Sequence, residues 1–143
     1  MIFGYTTGVF DMFHIGHLRL LERAKANCDQ LIVGITTDEL CLERKGKLPV
    51  VPFEERRQIV AAVRYVDMTV PQTSMNKRLA WEALRFNKMF VGDDWRGTEL
   101  WNNLEREFAE LGVEIVYFPY TPTTSSTMLR EALDGLHGSV SND

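Results

Sequence analysis

Several features are scarce in this chain of 143 residues, and each scarcity removes a class of protein. Cysteine occurs only as Cys28 and Cys41, too few for a disulfide framework or a zinc quartet. No apolar run approaches the ~18 residues that a membrane span needs. The opening Met-Ile-Phe-Gly-Tyr-Thr-Thr-Gly has neither the basic flank nor the long apolar stretch of a secretory signal, so a cytoplasmic protein without membrane insertion is expected. Positive charge is not in excess: 16 Lys+Arg face 20 Asp+Glu, a formal net charge of -4. That balance argues against a nucleic-acid partner and leaves small molecules as the expected ligands. Internal repeats and low-complexity stretches are missing as well.

The hydrophobic share of 45% and the charged share of 25% are those of an ordinary globular protein. A chain of this length forms one domain and buries about two-thirds of its unfolded surface. Short apolar runs alternate with helix-like stretches, the pattern of a parallel sheet covered by helices. Strands are expected at Ile2–Thr6, Leu31–Thr36, Val66–Val70, Lys88–Gly92 and Val113–Phe118. Helices are expected at Gly16–Ala26, from Pro52 to about Val63, at Arg78–Phe86, from Leu100 to Leu111, and at Ser126–Leu133. Residues 43–51 read as a basic, glycine-containing loop. The expected fold is α/β, a doubly wound five-stranded parallel sheet in a single domain over residues 1–134, with a loose tail over 135–143. Ligands of such sheets bind beyond the carboxyl ends of the strands.

The strongest signal lies at the first of those ends: Gly8-Val-Phe-Asp-Met-Phe-His14-Ile-Gly16-His17. Two histidines three apart share one side of a helix's first turn. Gly16 between them allows a ligand close to the backbone, and helix N-terminal amides with two imidazoles suit phosphate oxygens. A structural capping pair and a zinc site completed by a distant residue are the competing readings. Arg44-Lys45-Gly46-Lys47 brings mobile positive charge beside the second strand's end, and reads otherwise as a solvated basic loop. Ser125-Ser126-Thr127 opens the last helix as an N-cap with hydroxyls to spare. The paired carboxylates Asp93 and Asp94 could hold a metal.

The run through His14-Ile-Gly-His17 resembles the signature of the cytidylyltransferase family, within the HxGH nucleotidyltransferases, and is closest to its glycerol-3-phosphate members. Pro52-Phe-Glu-Glu-Arg56-Arg57, Arg64-Tyr65-Val66-Asp67, Val91-Gly92-Asp93-Asp94-Trp95 and Ser125-Ser126-Thr127 follow in the family's order. The resemblance runs from Gly4 to about Leu133 and implies a Rossmann-like nucleotidyltransferase fold. It implies transfer of a cytidylyl group from CTP to an alcohol phosphate, with Mg²⁺ and release of pyrophosphate, in a homodimer. Phosphocholine, phosphoethanolamine or a sugar-alcohol phosphate as acceptor, ATP as donor, and a silent nucleotide-binding protein are the alternatives.

By this resemblance His14, His17, Lys45 and Lys47 are catalytic. Thr7, Gly8, Val9, Phe10, Gly16, Asp94, Trp95, Thr121, Ser125, Ser126 and Thr127 form the nucleotide-binding set. Asp11, Lys45, Arg56, Arg64 and Lys77 form the substrate-binding set, with Asp11 bracing the first loop rather than acting as a base. The metal ligands are not indicated. Phe10 and Phe13 are candidates for a dimer contact or for the core. One departure stands out: Tyr120 occupies the place of a family arginine that grips the triphosphate, and a phenol cannot supply that charge. Arg56, Arg64 or another cation must then compensate, or the pocket accepts a different substrate.

Overall fold

The structure is a computed structural model that describes residues 1–119 and 129–135. Five parallel strands form one sheet in the order β3-β2-β1-β4-β5. They are β1 (Phe3–Gly8), β2 (Gln30–Thr36), β3 (Met68–Gln72), β4 (Lys88–Gly92) and β5 (Glu114–Phe118). The helices are α1 (Ile15–Ala26), α2 (Asp38–Lys45), α3 (Phe53–Ala61), α4 (Lys77–Leu84) and α5 (Glu99–Glu110), and residues 129–135 are helical too. β1 pairs with β2 on one side and β4 on the other, so the winding reverses between β1 and β4. That reversal opens a crevice at the carboxyl ends of both strands.

Alternation along the strands makes two cores, because successive side chains leave opposite faces. Leu31, Val33 and Ile35 of β2 pack with Phe90 against Leu21 and Ala24 of α1 and Val60 of α3. Tyr5, Ile32 and Met89 pack on the other face with Phe86 and with Trp101 and Phe108 of α5. A fully buried Phe108 contributes about 2–3 kcal/mol of apolar burial.

The doubly wound sheet and all five strands expected from the sequence are present. Three expectations need correction. Residues 38–45 form a helix where only a loop at 43–51 was expected. Thr37 Oγ1 accepts from Leu40 N–H at its start, and Gly46 closes it at φ 73. β3 starts two residues late and runs through Pro71, which an edge strand tolerates because its outer side needs no N–H donor. Phe10 is buried in the core and is no dimer contact, while Phe13 packs half-buried against that core. The first residues expected in the last helix, 126–128, and most of the expected tail, 136–143, lie outside the described residues.

Candidate active site

The histidines occupy the junction of β1 and α1, and their spacing has a backbone cause. His14 is the N-cap of α1; its Nδ1 accepts from Gly16 N–H at 3.0 Å. In return the His14 backbone N–H donates to His17 Nδ1 at 3.2 Å. The pair thus makes a reciprocal capping arrangement with imidazoles in place of the usual Ser and Glu. A neutral ring whose Nδ1 accepts carries its proton on Nε2. Both histidines therefore present Nε2–H donors, with ring centroids 4.0 Å apart. Burial lowers the pKa of His14. Burial, reinforced by His14 and opposed by Asp11, pushes His17 down to about 4. His17 is thus neutral at physiological pH and acts as a hydrogen-bond donor rather than a cation. The connecting loop is strained: Phe10 and Met12 adopt φ of 54° and 50°, which side chains other than glycine rarely take. Phe10 sets its ring edge-on to His17 at 5.4 Å.

Two residues of the expected substrate-binding set are internal braces, as was expected of Asp11 but not of Arg56. Arg56 keeps 1% of its surface exposed. Its Nε donates to Val51 O, its Nη1 to Val9 O and Thr36 O, each at 2.8 Å, and its Nη2 to Asp38 Oδ1 at 2.6 Å. One guanidinium so joins the ends of β1 and β2 to α2 and to the segment before α3. Asp11 is buried and accepts from the N–H groups of Val50 and Val51 at 2.8 and 2.9 Å and from Arg130 Nη2 at 2.6 Å. Asp11 therefore pins the segment that follows Lys47, consistent with a bracing role and not with a substrate contact. Arg64 is a further correction. It is exposed in the turn before β3, at the edge opposite the carboxyl ends, where it donates to Tyr65 Oη. Tyr65 Oη in turn donates to Glu22 of α1.

Lys45 and Lys47 do converge with His17. They share a cavity of about 730 Å³ with Val9 and Phe10, and neither lysine has an ion pair or hydrogen bond with a described residue. Lys45 stands in the last turn of α2, fixed by the Gly46 cap rather than carried on a mobile loop. Lys77 opens α4, half-buried outside this cavity. Burial, then the nearby Arg44 guanidinium, holds its ammonium below the usual lysine value. Thr7 and Gly8 end β1 at the mouth of the crevice. Asp94 and Trp95 lie in a short 3-10 turn (Asp93–Trp95) at the end of β4, both exposed and outside the cavity. Thr121, Ser125, Ser126, Thr127 and Tyr120 lie outside the described residues.

Arg130 is the basic residue lining the cavity that the sequence reading did not single out. Its available signal was a spacing of three from Thr127, which places it on the face of a helix already marked for phosphate binding. With Arg56 and Arg64 removed from the pocket, Arg130 is the guanidinium that remains there.

A sequence model of the cytidylyltransferase-like family matches residues 5–132. The chain belongs to the cytidylyltransferase-like family. It is 37% identical over 133 residues to a glycerol-3-phosphate cytidylyltransferase of Bacillus subtilis, covering 92% of this chain and 96% of that protein. A protein of the same name from Bacillus spizizenii is 32% identical over 132 residues, with the same coverage of both chains. Among solved structures, the lipopolysaccharide core biosynthesis protein of Thermoplasma volcanium superposes with a TM-score of 0.71 at 22% identity. That match covers 87% of this chain and 99% of the other, and it supports the fold alone. Membership makes this cytidylyltransferase-like protein a nucleotidyltransferase that acts on small molecules. Among its described residues no helix is long and apolar enough to cross a membrane.

Proposed function

We propose that the protein transfers the cytidylyl group of CTP to glycerol 3-phosphate, giving CDP-glycerol and pyrophosphate. The observation that carries this reading is the pair of oriented Nε2–H donors at the α1 start, with His17 opening on the cavity of Lys45 and Lys47. It stands in a chain aligned almost end to end with relatives named for that activity.

An oxygen of the acceptor phosphate attacks the α-phosphorus as the bond to the α–β bridging oxygen breaks, and pyrophosphate leaves with that electron pair. The acceptor is already ionised near neutral pH, so no general base is needed, and catalysis is positioning plus charge stabilisation. His14 and His17 donate to the α-phosphate oxygens and to the bridging oxygen, where negative charge grows. Their tautomers are set beforehand by the backbone, so no reorganisation is required during the reaction. Lys45 and Lys47 hold the phosphates around them, and Lys77 serves the acceptor's phosphate. Asp94 and Trp95 serve the nucleoside, as do Thr121, Ser125, Ser126 and Thr127 by the family pattern.

Among the described residues no cluster of three His, Cys, Asp or Glu could hold a metal ion. Magnesium, as the family implies, would arrive on the oxygens of the triphosphate, its usual mode, and would offset their charge. The reading includes a cytoplasmic homodimer, supported by the family pattern; sedimentation as a monomer at micromolar concentration would remove the dimer.

Pyrophosphate release measured with CTP and ATP against glycerol 3-phosphate, phosphocholine, phosphoethanolamine and a sugar-alcohol phosphate tests the activity. CTP with glycerol 3-phosphate is expected to give the highest kcat/KM. Binding of CTP without release in any combination, or a clear preference for another pair, overturns the reading.

A further inference from the structure

A separate cavity of about 310 Å³ lies between β3 and α4, on the sheet face that carries Tyr5 and Ile32. Its cause is local. Gly34, in the middle of β2, pairs with Thr7 and Val70 and leaves that face bare at its own position. The Tyr5 phenol reaches into the space so opened, since a Cβ on Gly34 would lie 2.7 Å from Tyr5 Oη. Glycine inside a strand often marks such a close approach. α4 faces the gap with Ala80 and Leu84, and none of its residues is fully buried. Tyr5 is 3% exposed and its ring is stacked on Phe86 at 4.7 Å. Its hydroxyl has no hydrogen-bond partner among the described residues, yet it is not sealed off from the cavity. Burial pushes the phenol up to about 12, so the oxygen keeps its proton and donates. Gln72 is buried and lines the same cavity. Its Oε1 accepts from Thr36 Oγ1 at 2.7 Å, while its Nε2 meets Met75 Sδ at 3.6 Å, a weak acceptor.

We propose that this cavity binds a small, neutral, mostly apolar carbonyl compound whose oxygen accepts from the Tyr5 hydroxyl. Neutrality follows from the lining, which holds no Lys, Arg, His, Asp or Glu. A charged ligand taken in there would be desolvated without a counterion. That chemistry sets the site apart from the cavity of His17, Lys45 and Lys47. Size follows from the volume: an apolar cavity of about 150 Å³ takes benzene, and this one is about twice as large. The carbonyl follows from the donors, because Tyr5 and Gln72 both offer hydrogens and a carbonyl oxygen has two lone pairs. Val70, Pro71, Ala80 and Leu84 supply apolar wall, which water filling the cavity would leave hydrated and which an apolar ligand would cover. No residue assigned to nucleotidyl transfer takes part, so the site stands or falls independently of that reading.

The test titrates the parent protein with 1-indanone and with indane, which has the same rings without the oxygen, and follows backbone amide shifts by NMR. 1-Indanone should bind about 3- to 10-fold more tightly than indane, the share of one hydrogen bond. The amides that shift should be those of Val70, Gln72, Ala80 and Leu84, not those of His17 and Lys45. In Tyr5→Phe the preference for the ketone should vanish while indane binds as before. Ala80→Leu, which fills the cavity, should abolish binding of both. The indane-1-carboxylate anion should bind at least about tenfold more weakly than 1-indanone. Equal binding of 1-indanone and indane by the parent, a preference that survives in Tyr5→Phe, or shifts confined to another part of the molecule would overturn the proposal. So would full binding by Ala80→Leu, or a carboxylate bound as tightly as the ketone. Absence of 1-indanone binding at millimolar concentration would overturn it as well and leave the hydroxyl to water. If Tyr5→Phe does not fold, the parent's preference and the location of its shifts decide.

Discussion

Arg56 separates the two readings of the basic residues most sharply, because its sequence context marks it for substrate and its geometry marks it for the fold. Its four hydrogen bonds end on Val51 O, Val9 O, Thr36 O and Asp38 Oδ1. Truncation to alanine leaves three backbone carbonyls without their charged donor. Each orphaned acceptor costs about 1–3 kcal/mol where water cannot reach it. The Asp38 side chain is 30% exposed and recovers hydration, so its loss adds little. The sum is on the order of 4–6 kcal/mol, comparable with the entire stability of a small domain at ~5–15 kcal/mol. Arg56→Ala should therefore accumulate unfolded, which makes Arg56→Lys the informative variant. An ammonium on that stem reaches one or two of the four acceptors, leaving a deficit of about 2–3 kcal/mol. With a urea slope of ~1–3 kcal/mol/M, the unfolding midpoint should drop by about 1–2 M. The KM values of the folded variant should change little, since no Arg56 donor faces the cavity. An unchanged midpoint with a raised KM for either substrate would refute the bracing role and return Arg56 to the site.

The remaining predictions concern the histidines. His14→Asn keeps a good N-cap but removes the Nε2–H donor, so kcat should fall about 10²–10³-fold with stability nearly unchanged; a fall of less than tenfold in pyrophosphate release would contradict the donor role. His17 titrates near 6.5 when unfolded and near 4 when folded. As pH falls through that window the unfolded chain takes up the proton first, so stability declines from about pH 6.5 to about 4 and is level below. Allowing for its partial exposure, the loss is on the order of 2 kcal/mol. Urea unfolding at pH 7 and pH 4.5 should show this loss in the parent and less of it in His17→Gln, and equal losses in both would refute it.

Much of the fold could be read from the chain because its signals are local. β4 coincides residue for residue with its apolar run Lys88–Gly92, and α1 begins one residue from its expected start. α2 escaped because its composition is charged, with mean burial confined to Leu40 and Cys41. Its punctuation was nevertheless present, in the Thr37 cap, the acidic Asp38 and Glu39, and the closing Gly46. At the site, the histidine pair was legible because capping is a short-range geometry. The fates of Arg56 and Asp11 were not, since both are decided by backbone groups up to 47 residues away in sequence, Val9 for Arg56 and Val51 for Asp11 among them.

A side chain's formal charge does not say where that charge is used. The sequence offers a run of cations near the strand ends: Arg44, Lys45, Lys47, Arg56, Arg57, Arg64 and Lys77. Three backbone carbonyls and the Asp38 carboxylate take up the Arg56 guanidinium completely. Glu54 neutralises Arg57 on the surface of α3, and Arg64 lies at the far edge of the sheet. What remains is Lys45 and Lys47 in the cavity, Arg44 with Lys77 beside it, and Arg130 arriving from the other end of the chain. A chain of net charge -4 can still bind a polyanion because many of its acidic residues are spent elsewhere, on surface pairs and helix starts. Affinity for phosphate follows from the few cations whose donors are not all taken up by the protein, and these are countable only once the hydrogen bonds are known.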